Sequence, residues 1–417
     1  MLRFAYSSAD DIDIDTLRIA LFNYIVSKQN NEDFIVIHKD TNTDILDILS
    51  LFGIKYSQVI DQNKNLRFYS AMALQLVQEK KSFSCFCSSK WIEKKKQEAK
   101  DAKIPYRYDD ACANLPAELV IDNTNPFTIR IKKAKNTITV NDSVFGKLDF
   151  DPNESESFVI MNQNKTPTYE FASAVDDMLN DISFIIRSEK DINMTPNQIH
   201  IRNSLGYSKE IKYAHLPEIT LKNNERISIK RLIEDGFLPE AILNYLISIT
   251  IDTFPEDIFS LDDTLKHFKL ESISNSPALF DMKKLKETNR RYLYTLDSKE
   301  LSRYVGFADE EIGELAKFYL KEVYTTKELK AKIQAVFATK NIENRYKDQA
   351  DILTKTIKEA PYFDKYKDFE KYTMEKSGLD GEDFFKPLSI LLTNKEDNTD
   401  IEIIYNYLKN YIKEIIK

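Results

Sequence analysis

Three cysteines carry the clearest chemical signature in this chain. Cys85 and Cys87 are separated by one residue, and Cys112 follows 25 positions after Cys87. Three thiols cannot all pair with one another. In a reducing compartment such a pattern points to a metal ion or to free thiols. The four histidines lack that specificity. His38 follows an apolar strand pattern, His200 and His267 have no acid or nucleophile nearby in sequence, and His215 sits in the segment YAHLP. A structural or surface role is expected for each, with His215 holding a turn. Glycine is scarce: 8 residues, none before Gly53. A nucleotide site at the first strand–helix turn ordinarily needs glycine there, so that backbone can approach the ligand. Basic residues gather at 94–96, 132–135 and 283–291, the last beside Tyr292 and Tyr294. Such runs serve RNA contact or, more commonly, solvated helix faces.

The elements that must position these groups follow from the apolar pattern. Residues 2–6 and 33–38 read as strands separated by a helical segment, 17–28. Strand, helix and strand at this spacing imply a parallel βαβ unit. A helix is expected over 70–80, then a strand at 85–87 and a Lys/Glu-rich helix over 91–102. Residues 126–132, 137–140 and 157–160 have strand character, so 76–168 reads as a mixed α/β insertion. Helix and strand return at 172–177 and 182–187, as if the first sheet resumes. From residue 229 onward the signal is almost wholly helical. It ends in an amphipathic helix over 401–416, preceded by a polar loop at 394–399.

A chain of 417 residues should form two to four domains. Its net charge of −8 argues against gripping nucleic acid by charge alone, though not against reading RNA shape through a local basic face. The longest apolar runs, such as 182–186, are too short to cross a bilayer. No basic region with a long apolar stretch opens the sequence, so no membrane association and a cytoplasmic location are expected.

The first segment, RFAYSSADDIDIDTLRIALFNY from Arg3 to Tyr24, resembles the RFAPSPTGxLHIGxxRTALFNW opening of glutamyl-tRNA synthetases without a gap. Further matches follow in family order: CFC at Cys85, YRYDDAC ending at Cys112, TPTYEFASAVDD, ISFIIR, TPNQ, YAHLP, EDGFLPEAILNYL, SPALFDMKKL and GEDFFKPLSILLT. The resemblance covers most of the chain. It implies an α/β fold: a class I doubly wound parallel sheet with an inserted α/β domain, followed by an all-α C-terminal region. The implied limits are 1–75 and 169–225 for the two halves of the catalytic domain and 76–168 for an acceptor-stem insertion. A helical stem-contact region would occupy 226–300 and an anticodon-binding region 301–417.

Two ATP-handling motifs of that family are altered. At the HIGH-type motif stand Asp13, Ile14, Asp15 and Thr16, without an imidazole. A carboxylate about 5 Å from a phosphate charge is repelled by roughly 3 kcal/mol at an effective dielectric near 20. Between YAHLP and the helix beginning SIKRLIEDG the chain is about one loop shorter than the family, and the KMSKR element falls in that gap. Lys222 and Arg226 lie beside it and are the groups left to reach phosphate. These changes imply no catalytic residues at the motif and little ATP binding.

Other positions match the family. Arg3, Ser7, Tyr169 and Arg187 correspond to positions lining its glutamate pocket, and arginine suits carboxylates through its planar fork. Lys39 replaces the family glutamate that meets the substrate ammonium, so a dicarboxylate without the amine is expected to suit a pocket with cations Arg3, Lys39 and Arg187. The competing expectation is that the arginines pair with Asp10, Asp13 or Asp15. The cysteine spacing matches zinc-bearing family members, which implies zinc on Cys85, Cys87, Tyr108 and Cys112, since tetrahedral zinc needs a fourth ligand. The partners implied are tRNA or, for a pseudoenzyme, a protein in a larger assembly. The competing expectation is an active glutamate–tRNA ligase with a diverged ATP site.

Overall fold

The computed structural model describes residues 1–6, 12–39, 44–221, 226–251, 258–340, 342, 344–396 and 400–416. It divides into two compact units, one of residues 1–229 and 246–280, the other of residues 230–245 and 281–417.

The first unit is built on a parallel sheet. Strand β1 (Leu2–Tyr6) leads into helix α1 (Ile14–Gln29), and β2 (Phe34–His38) pairs with β1 in parallel register, Arg3 opposite Ile35 and Tyr6 opposite His38. The run Phe34–Ile37 is buried on both faces, which is why the sequence there is continuous rather than alternating. Helix α2 (Asp44–Leu51), strand β3 (Gln58–Asp61) and helix α3 (Leu66–Gln78) follow. Then come β4 (Ser82–Cys85), helices α4 (Ser89–Asp101) and α5 (Ala117–Ile121), β5 (Thr128–Ile131), β6 (Ile138–Asp142), β7 (Gly146–Phe150) and β8 (Phe158–Met161). The sheet resumes through α6 (Tyr169–Leu179), β9 (Phe184–Ser188), α7 (Thr195–Ser204) and β10 (Lys212–Leu216).

The main sheet has the order β3-β2-β1-β9-β10-β6-β7, parallel except for the edge strand β7. Strand order reverses between β1 and β9. Ligands of open α/β sheets bind at such a switch point, outside the carboxyl ends of the strands. The segment 76–168 is indeed mixed α/β, but it divides its strands. β4, β5 and β8 form a separate antiparallel sheet, whereas β6 and β7 extend the main one. That placement brings Asp142, at the end of β6, beside Tyr213 on β10.

The second unit is helical, as the pattern after residue 229 predicts. One part is centred on Leu353, Phe369, Phe384, Leu388 and Tyr405, whose Tyr405 ring stacks on Phe369 at 4.7 Å. Two of its helices, Ser298–Val305 and Glu310–Tyr319, touch through Gly313. A Cβ there would lie 1.8 Å from the Ser298 carbonyl oxygen, so no larger residue fits without moving backbone. The tail departs from expectation. Instead of one helix over 401–416 there are two, Ile401–Leu408 and Ile412–Ile415, joined by a turn in which Tyr411 N–H donates to the Leu408 carbonyl at 2.7 Å. Asn410 in that turn donates to Glu311 at 2.6 Å. Residues 397–399 of the expected polar loop lie outside the described residues.

Candidate active site and metal centre

The loop between β1 and α1 ends at Asp13, whose backbone is extended and whose Oδ1 accepts from Thr16 N–H at 2.8 Å, capping the helix. Its Oδ2 accepts from Arg226 Nε at 2.8 Å. Backbone bonds from Ile14 N–H to the Ile227 carbonyl and from Ile229 N–H to the Ile12 carbonyl fasten the two segments together. Burial would raise the Asp13 pKa, but the Thr16 and Arg226 bonds outweigh it and hold the carboxyl below its ordinary value. Asp15 is a different case. It pairs with the buried Arg18 at 2.6 Å, yet burial pushes its pKa up. Arg18 also donates to the Pro217 carbonyl. The two acids therefore do not face the cleft as bare charges. Each is engaged by an arginine of the same chain.

Arg3 and Arg187 are both buried, on the strands that flank the switch point. Neither pairs with Asp13 or Asp15. Arg3 Nε donates to Asp177 Oδ1 at 2.5 Å and its Nη2 to Oδ2 at 3.2 Å. The fully buried Asp177 also meets Arg202 at 3.5 Å. Burial works to lower the Arg3 pKa, but Asp177 more than compensates and raises it. Among the described residues Arg187 has no carboxylate in direct contact. Its Nε donates to His215 Nε2 at 3.1 Å, its Nη1 to Gln198 Oε1 at 2.9 Å and its Nη2 to Thr195 Oγ1. Burial, reinforced by the nearby Arg3 charge, lowers the Arg187 pKa. The Tyr169 hydroxyl lies within electrostatic reach of both arginines.

Lys39 is exposed, one residue beyond the Tyr6–His38 pair, and its carbonyl accepts from Asn63. The structure thus gathers Arg3, Arg187 and Tyr169 and leaves Lys39 at the rim of β2. Ser7, Asp10 and Lys222 lie outside the described residues.

His215 is not a turn residue. It is fully buried in β10, with Nδ1 at 2.7 Å from Asp142 Oδ2 and Nε2 at 3.0 Å from Thr195 Oγ1. Asp142, Thr195, Gln198 and Asp177 are not marked by the sequence pattern, because their partners lie 8 to 174 residues away. The signal the sequence does carry is a histidine within the strand segment YAHL. His200 is also structural: Nε2 meets the Lys132 carbonyl at 2.7 Å.

The cysteine group assembles as its spacing implies. The three sulfurs lie within 4.8 Å of one another. Cys87 Sγ is 3.6 Å from Cys112 Sγ, and Tyr108 Oη is 3.3 Å from Cys85 Sγ and 3.4 Å from Cys87 Sγ. A tetrahedron with zinc–sulfur bonds near 2.3 Å has edges of about 3.8 Å, slightly shorter where oxygen replaces sulfur. The four side chains fit such an ion. The Arg130 guanidinium lies 3.9 Å from the centre of the Tyr108 ring and bonds the Ser157 carbonyl at 2.9 Å. Without a cation, burial pushes the Cys87 thiol up to about 12.

The basic runs are partly committed. Lys94–Lys96 pair with Glu93 and Glu98 on their own helix. Arg290 pairs with Glu287 and lies 4.8 Å from the Tyr324 ring centre, while Tyr294 is exposed. Among the described residues no helix is long and apolar enough to cross a membrane.

A doubly wound sheet with a split insertion, arginines at its switch point and a helical second unit define a class I synthetase fold. Residues 1–287 match the family described as tRNA synthetases class I (E and Q), catalytic domain. The chain belongs to the glutamyl-tRNA synthetase family. It is 53% identical to glutamate–tRNA ligase 2 of Sulfurimonas denitrificans and 43% identical to glutamate–tRNA ligase 1 of a Nitratiruptor strain, in each case over all of both chains. Each alignment spans 433 positions, more than the 417 residues here, so the relatives carry residues without a counterpart in this chain. Among solved structures, a glutamate–tRNA ligase of Elizabethkingia meningosepticum superposes with a TM-score of 0.81 at 20% identity, covering 99% of this chain and 97% of that one. That likeness supports the fold.

Proposed function

We propose that this chain is a tRNA-directed protein of the glutamyl-tRNA synthetase family that has kept an amino-acid pocket and lost the adenylate-forming step. The carrying observation is Asp13: its carboxylate occupies the N-terminus of α1 and holds Arg226. A helix N-terminus is a natural phosphate site. Here the Ile14 and Thr16 N–H groups and Arg226 are engaged within the chain. The missing KMSKR element points the same way. Losing one preorganised donor alone costs about 10²–10³ in rate.

On this reading, residues 76–168 and 226–300 meet the acceptor stem and 301–417 the anticodon arm. Zinc on Cys85, Cys87, Tyr108 and Cys112 braces the insertion. It acts as a structural cross-link that ties β4 to the segment carrying Tyr108 and Cys112. The pocket of Arg3, Tyr169 and Arg187, with Ser7 and Lys39 assigned by resemblance, takes a dicarboxylate. Lys39 in place of the family's acid favours glutarate over glutamate. Equal or stronger thermal stabilisation by glutamate counts against that preference.

The test is tRNA charging with ATP, glutamate and total tRNA, together with ATP–pyrophosphate exchange. No turnover, with salt-dependent tRNA binding, is the expected result. A second reading, a working glutamate–tRNA ligase, is favoured by the full-length identity to relatives that carry that name. Glutamate-dependent exchange above background establishes it and overturns the first. Co-purification of a protein partner without tRNA affinity replaces the RNA role with a scaffold role.

A further inference from the structure

Two buried guanidiniums lie near each other at the switch point, and they are compensated differently. Arg3 is bound to a carboxylate. The described hydrogen bonds of Arg187 go to three neutral acceptors, from Gln198, Thr195 and His215. Asp191 and Glu170 lie within electrostatic reach of Arg187 but make no described bond to it. A buried charge with only neutral groups in direct contact is costly, and structures keep such charges where a ligand supplies the opposite sign. A second buried donor, Gln198 Nε2, has no partner among the described residues although Gln198 is fully buried and already bonded to Arg187.

The contact from Arg187 selects one proton arrangement. Arg187 Nε–H can only donate, so His215 Nε2 must present a lone pair. The ring proton is then on Nδ1 and points at Asp142 Oδ2, 2.7 Å away. Thr195 Oγ1 accepts from Arg187 Nη2 and lies 3.0 Å from Nε2, whose single lone pair it shares with the Arg187 Nε–H. Asp142 is fixed in turn by backbone donors. Oδ1 accepts from Val144 and Phe145 N–H, each at 2.9 Å, and the His215 N–H reaches both oxygens, at 3.3 and 3.1 Å.

We propose that Asp142 and His215 are positioning residues for Arg187. Asp142 locks the imidazole as the Nδ1–H tautomer, and Nε2 then orients the guanidinium without neutralising it, leaving its charge to a ligand carboxylate. A carboxylate in direct contact with Arg187 would hold it as firmly but cancel the charge. An imidazole with its proton on Nε2 would repel it. The ligand part of this inference rests on the pocket reading given above; the tautomer part does not.

Asp142→Asn is the informative variant. The backbone donors at Oδ1 keep the amide oxygen on their side, so the new NH₂ faces His215 Nδ1 and forces the ring proton onto Nε2, against Arg187. His215→Gln restores an acceptor for Arg187 and His215→Ala does not. With ¹⁵N-histidine labelling at pH 7, the His215 signal, identified by its loss in His215→Gln, is expected to show the Nδ1–H tautomer and to switch to Nε2–H in Asp142→Asn. Calorimetric titration with glutarate and glutamate should show about tenfold weaker binding for Asp142→Asn and His215→Ala, the size of one misdirected bond to a charged group. His215→Gln should stay within about threefold. An Nε2–H or imidazolium signal in the unaltered protein overturns the proposal, as does unchanged dicarboxylate affinity in Asp142→Asn. If neither dicarboxylate binds the unaltered protein, the pocket reading fails, and the tautomer still decides the positioning of Arg187.

Discussion

Asp13 joins two segments of the chain: one carboxylate oxygen caps α1 at Thr16 and the other accepts from Arg226, 213 residues away. This changes the physical account of the altered motif. Sequence suggests two bare acids repelling a triphosphate. The structure shows each acid paired with an arginine of the same chain; on the function proposed above, the motif is closed by satisfied groups more than by repulsion. Removing the cap by Asp13→Ala should cost about 1 kcal/mol of stability in urea unfolding. Arg226→Ala, removing a half-exposed pair, should cost at most about 1 kcal/mol. On the proposed function neither change brings pyrophosphate exchange, because the sequence also offers no match to the family's lysine-bearing loop. Exchange in Asp13→Ala would show that capping alone silences the site.

The Arg3–Asp177 pair makes a stronger prediction. Both side chains are nearly or fully buried, and Arg202 shares the same carboxylate. Asp177→Asn keeps the shape and removes the charge, leaving two buried guanidiniums uncompensated. A loss of about 3–5 kcal/mol is expected, read as a fall in the urea midpoint of the first unit. A loss under about 1 kcal/mol would mean that solvent reaches the pair.

Much of this architecture is legible in the sequence because it depends on local period and spacing. The run Phe34–Ile37 announces a buried parallel strand, and the 25-residue gap from Cys87 to Cys112 matches a metal-binding pattern. What is not legible depends on topology. The distribution of the insertion's strands between two sheets places Asp142 against His215, 73 residues away. Arg3 finds its acid on α6, where the DD of Asp176 and Asp177 reads only as the polar end of a helix. A one-dimensional pattern can mark an arginine as a carboxylate binder. It does not tell whether the protein supplies that carboxylate, as for Arg3, or surrounds the guanidinium with neutral acceptors, as in the described bonds of Arg187.

The cysteine cluster predicts stoichiometric metal. Elemental analysis of protein purified without chelator should give about one zinc per chain, falling to near none in Cys112→Ser. Tyr108→Phe leaves three sulfurs and should weaken retention against a competing chelator by tenfold or more, on the order seen when a metal site loses a supporting group. Uptake should release protons, because thiols must ionise to bind. Full retention of zinc in Tyr108→Phe would leave the fourth position to another ligand.

The buried histidines set the direction of the response to acid. Burial lowers the pKa of both His200 and His215 below the ordinary value near 6.5. On acidification the unfolded chain therefore takes up these protons before the folded chain does, and stability falls as pH drops below about 6.5. Each group contributes at most about 1.4 kcal/mol per pH unit, ending once the folded pKa is passed. Asp15, Asp176 and Glu170 act oppositely: burial raises their folded pKa, so they favour the folded state while it alone is protonated, in a lower window. Asp13 and Asp142 are held below the ordinary carboxylate value, and their contribution is lost only at still lower pH. The region from pH 7 to 5.5 is thus the most histidine-controlled. His200→Gln keeps a donor for the Lys132 carbonyl and removes the titration. Urea midpoints at fixed ionic strength should fall less steeply between pH 7 and 5.5 in this variant than in the unaltered protein, and an unchanged slope would place His200 in contact with solvent.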